Sequence, residues 1–300
     1  MRIILSEHDN PNIKKAIKIC RKDDNLSFLR VNSLKSGLNA LRYGEGDAFV
    51  AGIDITTRDM VLACKENLPR KEKYFSSCFV MRNKSKTYIL ADAGVCKNPD
   101  ADVLKAIVLE TYDTAKKVLD EEPRIAMLSF SSFGSGGKDV TIAKIQEVID
   151  SIHTDHPEIM IDGEMQLDAA IDSGVARKKA PNSPVAGRAN VLVCPDLTSA
   201  NILYKSMERF GGFTAAGPIL QGFGIRREDE SFAPAIISDL SRGSTVEDVV
   251  LTFRMLEKIH NYDNAITTRT AAKADTSKKT FTERLLDAWE FAGNLGRRKR

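Results

Sequence analysis

Short apolar runs that alternate with amphipathic segments constrain this chain more than any other feature of its sequence. RIILSE at 2–7 reads as a strand, and NIKKAIKICRKD follows with apolar residues at helical spacing and Pro11 just before it. DAFVAGI at 47–53 is continuous and apolar; Thr56, Thr57 and Asp59 then open the helical run DMVLACKENL. SSCFVMRN and TYILADAG are two strands around a polar NKSK turn, and ADVLKAIVLETYDTAKKVL is a long helix with Val103, Leu104, Ile107, Val108 and Ala115 mostly on one face. The pattern then repeats. RIAMLSFSS precedes VTIAKIQEVIDSI, MIDGEMQLDAAI runs from strand into helix, and ANVLVCPD precedes LTSANILYKSMERF. AAGPILQG reads as a strand or an apolar loop, and DLSRGSTVEDVVLTFRMLEKI as a turn and a helix. Strands alternating with helices predict an α/β fold with a mostly parallel sheet. Strands this uniformly apolar predict that both sheet faces are covered.

At 300 residues, two domains are expected. In open α/β sheets ligands bind at the carboxyl ends of strands. That directs attention to SSFGSGGKD, DGEMQLD, CPDLTSAN and DLSRGSTVED. The formal charge of +3 makes the body as a whole a poor nucleic-acid surface. No run approaches the ~20 apolar residues of a membrane span, and the N-terminus lacks the apolar core of a secretion signal, so a cytoplasmic protein is expected. The charge is uneven. From Arg269 onward nine Lys/Arg face four Asp/Glu, ending in RRKR, while residues 1–268 sum to −2. That basic run suits either an acidic partner or a solvated helix end. FTERLLDAWEF places Phe281, Leu285, Ala288 and Trp289 on one side of a helix.

Cys20, Cys64, Cys78, Cys96 and Cys194 form no CxxC pair. Dispersed in apolar sequence, they read as reduced core thiols. His153 and His156 lack companions at metal-ligand spacing and read as solvated helix-end residues. No metal site is expected.

Five runs resemble phosphate acetyltransferases, in that family's order and near its spacing: EPRIAMLSFSSFGSGG (122–137), IDGEMQLDAAI (161–171), SPVAGRANVLVCPDLTSANILYK (183–205), GGFTAAGPILQGFG (211–224) and SDLSRGSTVEDVV (238–250). The resemblance implies two α/β domains with a cleft between them, similar to isocitrate and isopropylmalate dehydrogenases. Residues 1–75 with 235–267 would form one domain, 76–234 the other, and 268–300 a basic C-terminal extension. It also implies reversible transfer of acetyl between acetyl phosphate and coenzyme A, with no bound cofactor beyond coenzyme A as substrate, in a homodimer. Two alternatives stay open: transfer of a longer acyl group such as butyryl, and a non-catalytic binding protein that keeps the fold.

Carried over residue by residue, the resemblance makes Asp248 the base for the thiol. Arg242 becomes the stabiliser of charge on the phosphate, and Ser241 a hydrogen-bond donor to the transition state. The local alternative is a helix entry, with Ser244 or Thr245 as N-cap and Glu247 and Asp248 favouring the dipole. Ser131, Ser135 and Gly136 in the glycine-rich loop are candidate phosphate binders, as are Lys205 and Asn190; a flexible loop is the alternative for the first three. Asp196 and Asn201 are expected to hold a strand-end turn and helix start. Two departures stand out. Leu62 occupies a position where the family carries an arginine, with Arg58 and Arg70 nearby, and IRREDESFAPAIIS replaces a short turn and is expected to alter the cleft rim.

Overall fold

The computed structural model describes residues 1–22, 25–70, 74–226 and 231–268. In chain order its elements are β1 (Arg2–Leu5), α1 (Pro11–Cys20), β2 (Ser27–Arg30), α2 (Leu34–Arg42), β3 (Ala48–Ala51), α3 (Thr57–Asn67), β4 (Ser76–Arg82), β5 (Thr87–Ala91), α4 (Ala101–Val118), β6 (Ile125–Leu128) and α5 (Val140–Asp155). There follow β7 (Ile161–Met165), α6 (Leu167–Ile171), α7 (Ser173–Lys179), β8 (Val191–Val193), α8 (Leu197–Arg209), β9 (Thr214–Gln221), β10 (Gly224–Arg226), β11 (Phe232–Pro234) and β12 (Ile236–Asp239). A last helix, α9, begins at 246. Met1–Ile259 form one compact unit. Of the second unit, His260–Arg300, residues 260–268 are helical. Its Thr267 and Thr268 hydroxyls bond back to the carbonyls of Asp263 and Asn264. Residues 269–300, including the expected Trp289 face, lie outside the described residues.

Among the described residues one sheet holds ten strands in the order β2-β1-β3-β12-β9-β4-β5-β8-β6-β7. β2, β1, β3 and β12 are mutually parallel, and so are β5, β8, β6 and β7. Between the sets lies the antiparallel pair β9 and β4, which reverses direction at β12–β9, β9–β4 and β4–β5. The two parallel sets therefore point toward each other. β12 reaches β9 with Ser238 beside Ile219, and β5 ends with Ala91 beside Cys78, itself opposite Ile219. Carboxyl ends from both sets thus converge over the middle of the two longest strands. This is where an α/β sheet leaves a crevice.

Most strands of the ten-stranded sheet are buried on both faces, as their unbroken apolar runs predict; the edge strand β2 is not. Ile3, Leu5, Val50, Val80, Ile89, Val191 and Val193 join one core cluster, with α4 and α5 supplying Leu104, Ile107, Val108, Ile145 and Ile149. Ile4, Phe49, Ile237 and Leu220 face a second cluster built on α2 and α3. Two expectations change. AAGPILQG is a buried central strand. The segment IRREDESFAPAIIS is more than a rim: its Ile236, Ile237 and Ser238 are buried and, with Asp239 after it, complete the sheet between β3 and β9. β10 and β11 pair as a separate two-stranded sheet, and residues 227–230, which carry most of the charges of the expected rim, lie outside the described residues. β2 and α2 carry no reading in the sequence. β2 is a four-residue edge strand, too short to show a period, and α2 opens on a Ser33–Ser36 capping box.

Candidate active site

β12 ends at Asp239, and Leu240, Ser241, Arg242 and Gly243 turn out of the sheet toward α9. The turn borders a cleft of about 370 Å³. Gly52 and Thr57 line it from the end of β3 and the start of α3, Gly94 from the loop after β5, and Asn201 and Lys205 from α8. Phe79 and Pro218, from β4 and β9, also line it. The Phe79 ring stacks on Tyr204 at 4.1 Å. Lys205 Nζ donates to Tyr204 Oη at 2.9 Å and approaches Ser241 Oγ at 3.5 Å. Ser241 Oγ also accepts from Gly243 N at 3.3 Å. With two donors aimed at its oxygen, the Ser241 hydroxyl has its own proton to donate. Arg242 is exposed, and among the described residues no carboxylate pairs with it. The structure therefore brings Ser241, Arg242 and Lys205 together at one cleft.

Asp248 is placed differently. It is 3% exposed and does not line the cleft. One oxygen accepts from Ala215 N at 2.8 Å. The other accepts from Thr245 N and Thr245 Oγ1, each at 2.8 Å, while Thr245 Oγ1 accepts from Asp248 N. This is a capping box at the start of α9 with one carboxylate oxygen extended to β9. The reason lies in the sheet. β12 stops beside Ile219, so the amides of Ala215 and Gly217 face no strand on that side. Asp248 and Thr252 take their place, with Thr252 Oγ1 accepting from Gly217 N at 3.0 Å. In this geometry Asp248 ties the start of α9 to β9, and both its oxygens are occupied.

The glycine-rich loop departs from expectation too. Ser131, Ser135 and Gly136 do not line the cleft. Ser131 is fully buried and donates to Glu164 Oε1 at 2.7 Å; Gly134 N donates to the same oxygen at 2.8 Å. Gly136 N donates to Ser131 Oγ, and Ser132 N to Ser135 Oγ. The loop's donors are aimed instead at the protein's own buried Glu164 carboxyl. Asn190 sits before β8, at the opposite end of that strand from Pro195 and Asp196. Its Oδ1 accepts from Arg124 N and its Nδ2 donates to Glu122 O, so its amide is spent on the fold, and it lines a different groove with Arg82, Arg124 and Lys258. Asp196 caps α8 through Ser199 N, and Asn201 donates to Ala93 O. Leu62 is 43% exposed on α3; neither it, Arg58 nor Arg70 lines the cleft.

One residue escaped the sequence reading. Asp239 is 1% exposed, and neither carboxyl oxygen has a formed hydrogen bond. Burial pushes its carboxyl up to about 6, Glu7 adds to the rise, and the nearby Thr57 hydroxyl opposes it. Gly52 presses on it at φ +106°, where a Cβ would stand 2.3 Å from Asp239 Oδ1. A charged residue ending an apolar strand directly before Leu240-Ser241-Arg242 was the signal. Four of the five cysteines fit the core expectation: Cys20, Cys64, Cys78 and Cys194 are buried, while Cys96 is half-buried; burial pushes the Cys64 and Cys194 thiols up to about 12. Among the described residues no cluster of three His, Cys, Asp or Glu is placed to hold a metal, and no helix is long and apolar enough to cross a membrane.

Residues 7–256 match the family model described as phosphate acetyl/butaryl transferase. The chain belongs to this acyltransferase family. It is 40% identical over 255 residues to a phosphate acetyltransferase from Clostridium acetobutylicum, covering 82% of this chain and 70% of that one. It is also 40% identical over 218 residues to one from Paracoccus denitrificans, covering 70% of this chain and 65% of that one. The chain thus spans about two thirds of the length of these relatives. Among solved structures, EutD phosphotransacetylase from Staphylococcus aureus superposes with a TM-score of 0.73 at 27% identity, over 86% of this chain and 94% of that one. Its fold is the phosphotransacetylase fold.

Proposed function

We propose that this chain reversibly transfers an acetyl group between acetyl phosphate and coenzyme A. The observation that carries this reading is the convergence of Ser241, Arg242 and Lys205 on one cleft where opposed strand sets meet. The reaction needs a thiol to lose its proton, from a starting pKa of about 8.5, as it attacks the acetyl carbonyl. An oxyanion develops there, and phosphate leaves with the electron pair of the broken C–O bond. Ser241 is poised to donate to that oxyanion, because its own oxygen already accepts from two groups. Arg242 offers a planar fork of donors to phosphate oxygens. Lys205 places a cation beside both, on a half-buried stem, where water screens it less.

The strand set built from residues 1–75 and 235–267 and the set within 76–234 support reading the cleft as the seam between two domains. The dispersed free thiols suit a reducing cytoplasm; association as a homodimer rests on the family resemblance alone. The reading is tested in the reverse direction. Purified protein given acetyl coenzyme A should release free thiol only when inorganic phosphate is present. A higher kcat/KM for butyryl than for acetyl coenzyme A would move the assignment to a longer acyl group.

A further inference from the structure

A second groove, of about 340 Å³, opens where β5, β6 and β8 begin. Thr87 and Tyr88 open β5, Arg124 precedes β6, and Asn190 precedes β8. These strands are mutually parallel, and the cleft that holds Ser241 lies past the opposite ends of β5 and β8, at Gly94 and Leu197. The two sites share no lining residue. Arg82, Lys86, Arg124, Arg188 and Lys258 line the groove against two carboxylates, Asp120 and Glu121. That excess of three positive charges is local, because residues 1–268 together sum to −2.

The five cations divide into two kinds. Arg124 is spent on the fold: Nε donates to Arg188 O, Nη1 to Glu122 O and Nη2 to Glu121 Oε2. With the bonds of Asn190, this fixes the strand starts and gives the groove a set shape. The others have charge to offer. Arg188 uses only Nε, on Pro184 O. The exposed Arg82 side chain makes no hydrogen bond or ion pair among the described residues, and Lys86 Nζ stands 5.9 Å from the centre of the Tyr88 ring. Lys258 pairs with Asp120 at 2.6 Å, but that carboxylate is 91% exposed. A pair so exposed contributes little, so a ligand anion can replace it. Beneath these groups the floor is apolar, with Tyr88, Val118 and Met255 buried.

We propose that this groove binds a small phosphorylated organic anion, its phosphate held by Arg82, Arg188 and Lys258 and its body resting on the apolar floor. Guanidinium forks match phosphate oxygens in pairs, and an excess of three charges suits a dianion better than a single carboxylate. The volume falls within the range of about 300–1,000 Å³ that organic ligands occupy. The site is separate from the cleft that takes the acyl phosphate, and it stands whether or not the acyl-transfer reading does. Lys258 and Met255 lie on α9, the helix that follows the Ser241–Arg242 turn, so the ligand touches an element that also borders the cleft.

Calorimetric titration of the full chain with ADP, inorganic pyrophosphate and adenosine tests the assignment. The cleft also accepts phosphate groups, so Arg242→Gln is titrated beside wild type. An ADP site should persist in Arg242→Gln. Its affinity should fall about tenfold or more in the Arg82→Ala/Arg188→Ala double variant, and should fall as NaCl rises. ADP should bind more tightly than pyrophosphate, and adenosine should not bind. ADP affinity unchanged by the double replacement overturns the proposal, as does no ADP binding at about 1 mM. Pyrophosphate binding as tightly as ADP overturns the organic class of the ligand. Should loss of the Arg188–Pro184 bond unfold the double variant, Arg82→Ala/Lys86→Ala decides: unchanged ADP affinity there overturns the proposal equally.

Discussion

Arg242 stands exposed at the cleft mouth, with no described carboxylate to neutralise it, so its charge is available to a substrate phosphate. Arg242→Gln should lower kcat by about two to three decades, as loss of one transition-state stabiliser typically does. Arg242→Lys should rescue only in part, since a point charge cannot form two parallel bonds; steady-state kinetics on both variants checks this. Asp248 accepts three hydrogen bonds at once, and asparagine offers one acceptor oxygen and a donor amide. Asp248→Asn should therefore cost about 1–3 kcal/mol of stability as well as activity, read by denaturant melts. Asp239 has a pH signature of its own. Its folded value near 6 lies above its ordinary 3.8. The native state therefore binds more protons than the unfolded chain between these values, and the contribution falls as pH rises through about 6. Asp239→Asn should raise stability at pH 8 by up to ~3 kcal/mol and by little at pH 3.5. An equal gain at both pH values would show that its carboxyl is not held neutral by burial.

At the scale of elements, the sheet is organised by where strands stop. β12 ends early along β9, and α9 fills the gap with Asp248 and Thr252. The strand–helix alternation was legible because buried parallel strands require continuous apolar runs, and RIIL, AFVA, IAML and VLV show them. The SRG turn was legible through the resemblance of SDLSRGSTVEDVV to the phosphate acetyltransferases. What stayed hidden depends on partners distant in sequence. β12 is only four residues long and lies behind the charged segment IRREDES, so nothing local marks AIISD as central. Asp248 looks alike in sequence whether it faces a ligand or the amide of Ala215, 33 residues away. The loop Ser131–Gly136 reads as an anion cradle, yet its donors are taken by the Glu164 carboxyl from β7.

Across the whole molecule, two parallel strand sets run toward each other and a pair of long antiparallel strands joins them. Every described residue that lines the cleft they leave belongs to the Met1–Ile259 unit. Truncation after Asp263 should therefore leave kcat near wild type, checked by kinetics with light scattering to follow association. A soluble truncated chain without activity would place part of the site in the removed segment. The central claim is that this cleft moves acetyl from phosphate to a thiol by means of Ser241, Arg242 and Lys205. Purified wild type and Arg242→Gln, mixed with acetyl phosphate and coenzyme A, test it through thioester absorbance. Rapid thioester formation by wild type, slowed at least 100-fold in a folded Arg242→Gln protein, is the predicted result. Wild type giving no thioester above the uncatalysed rate, or Arg242→Gln matching wild type, would contradict it.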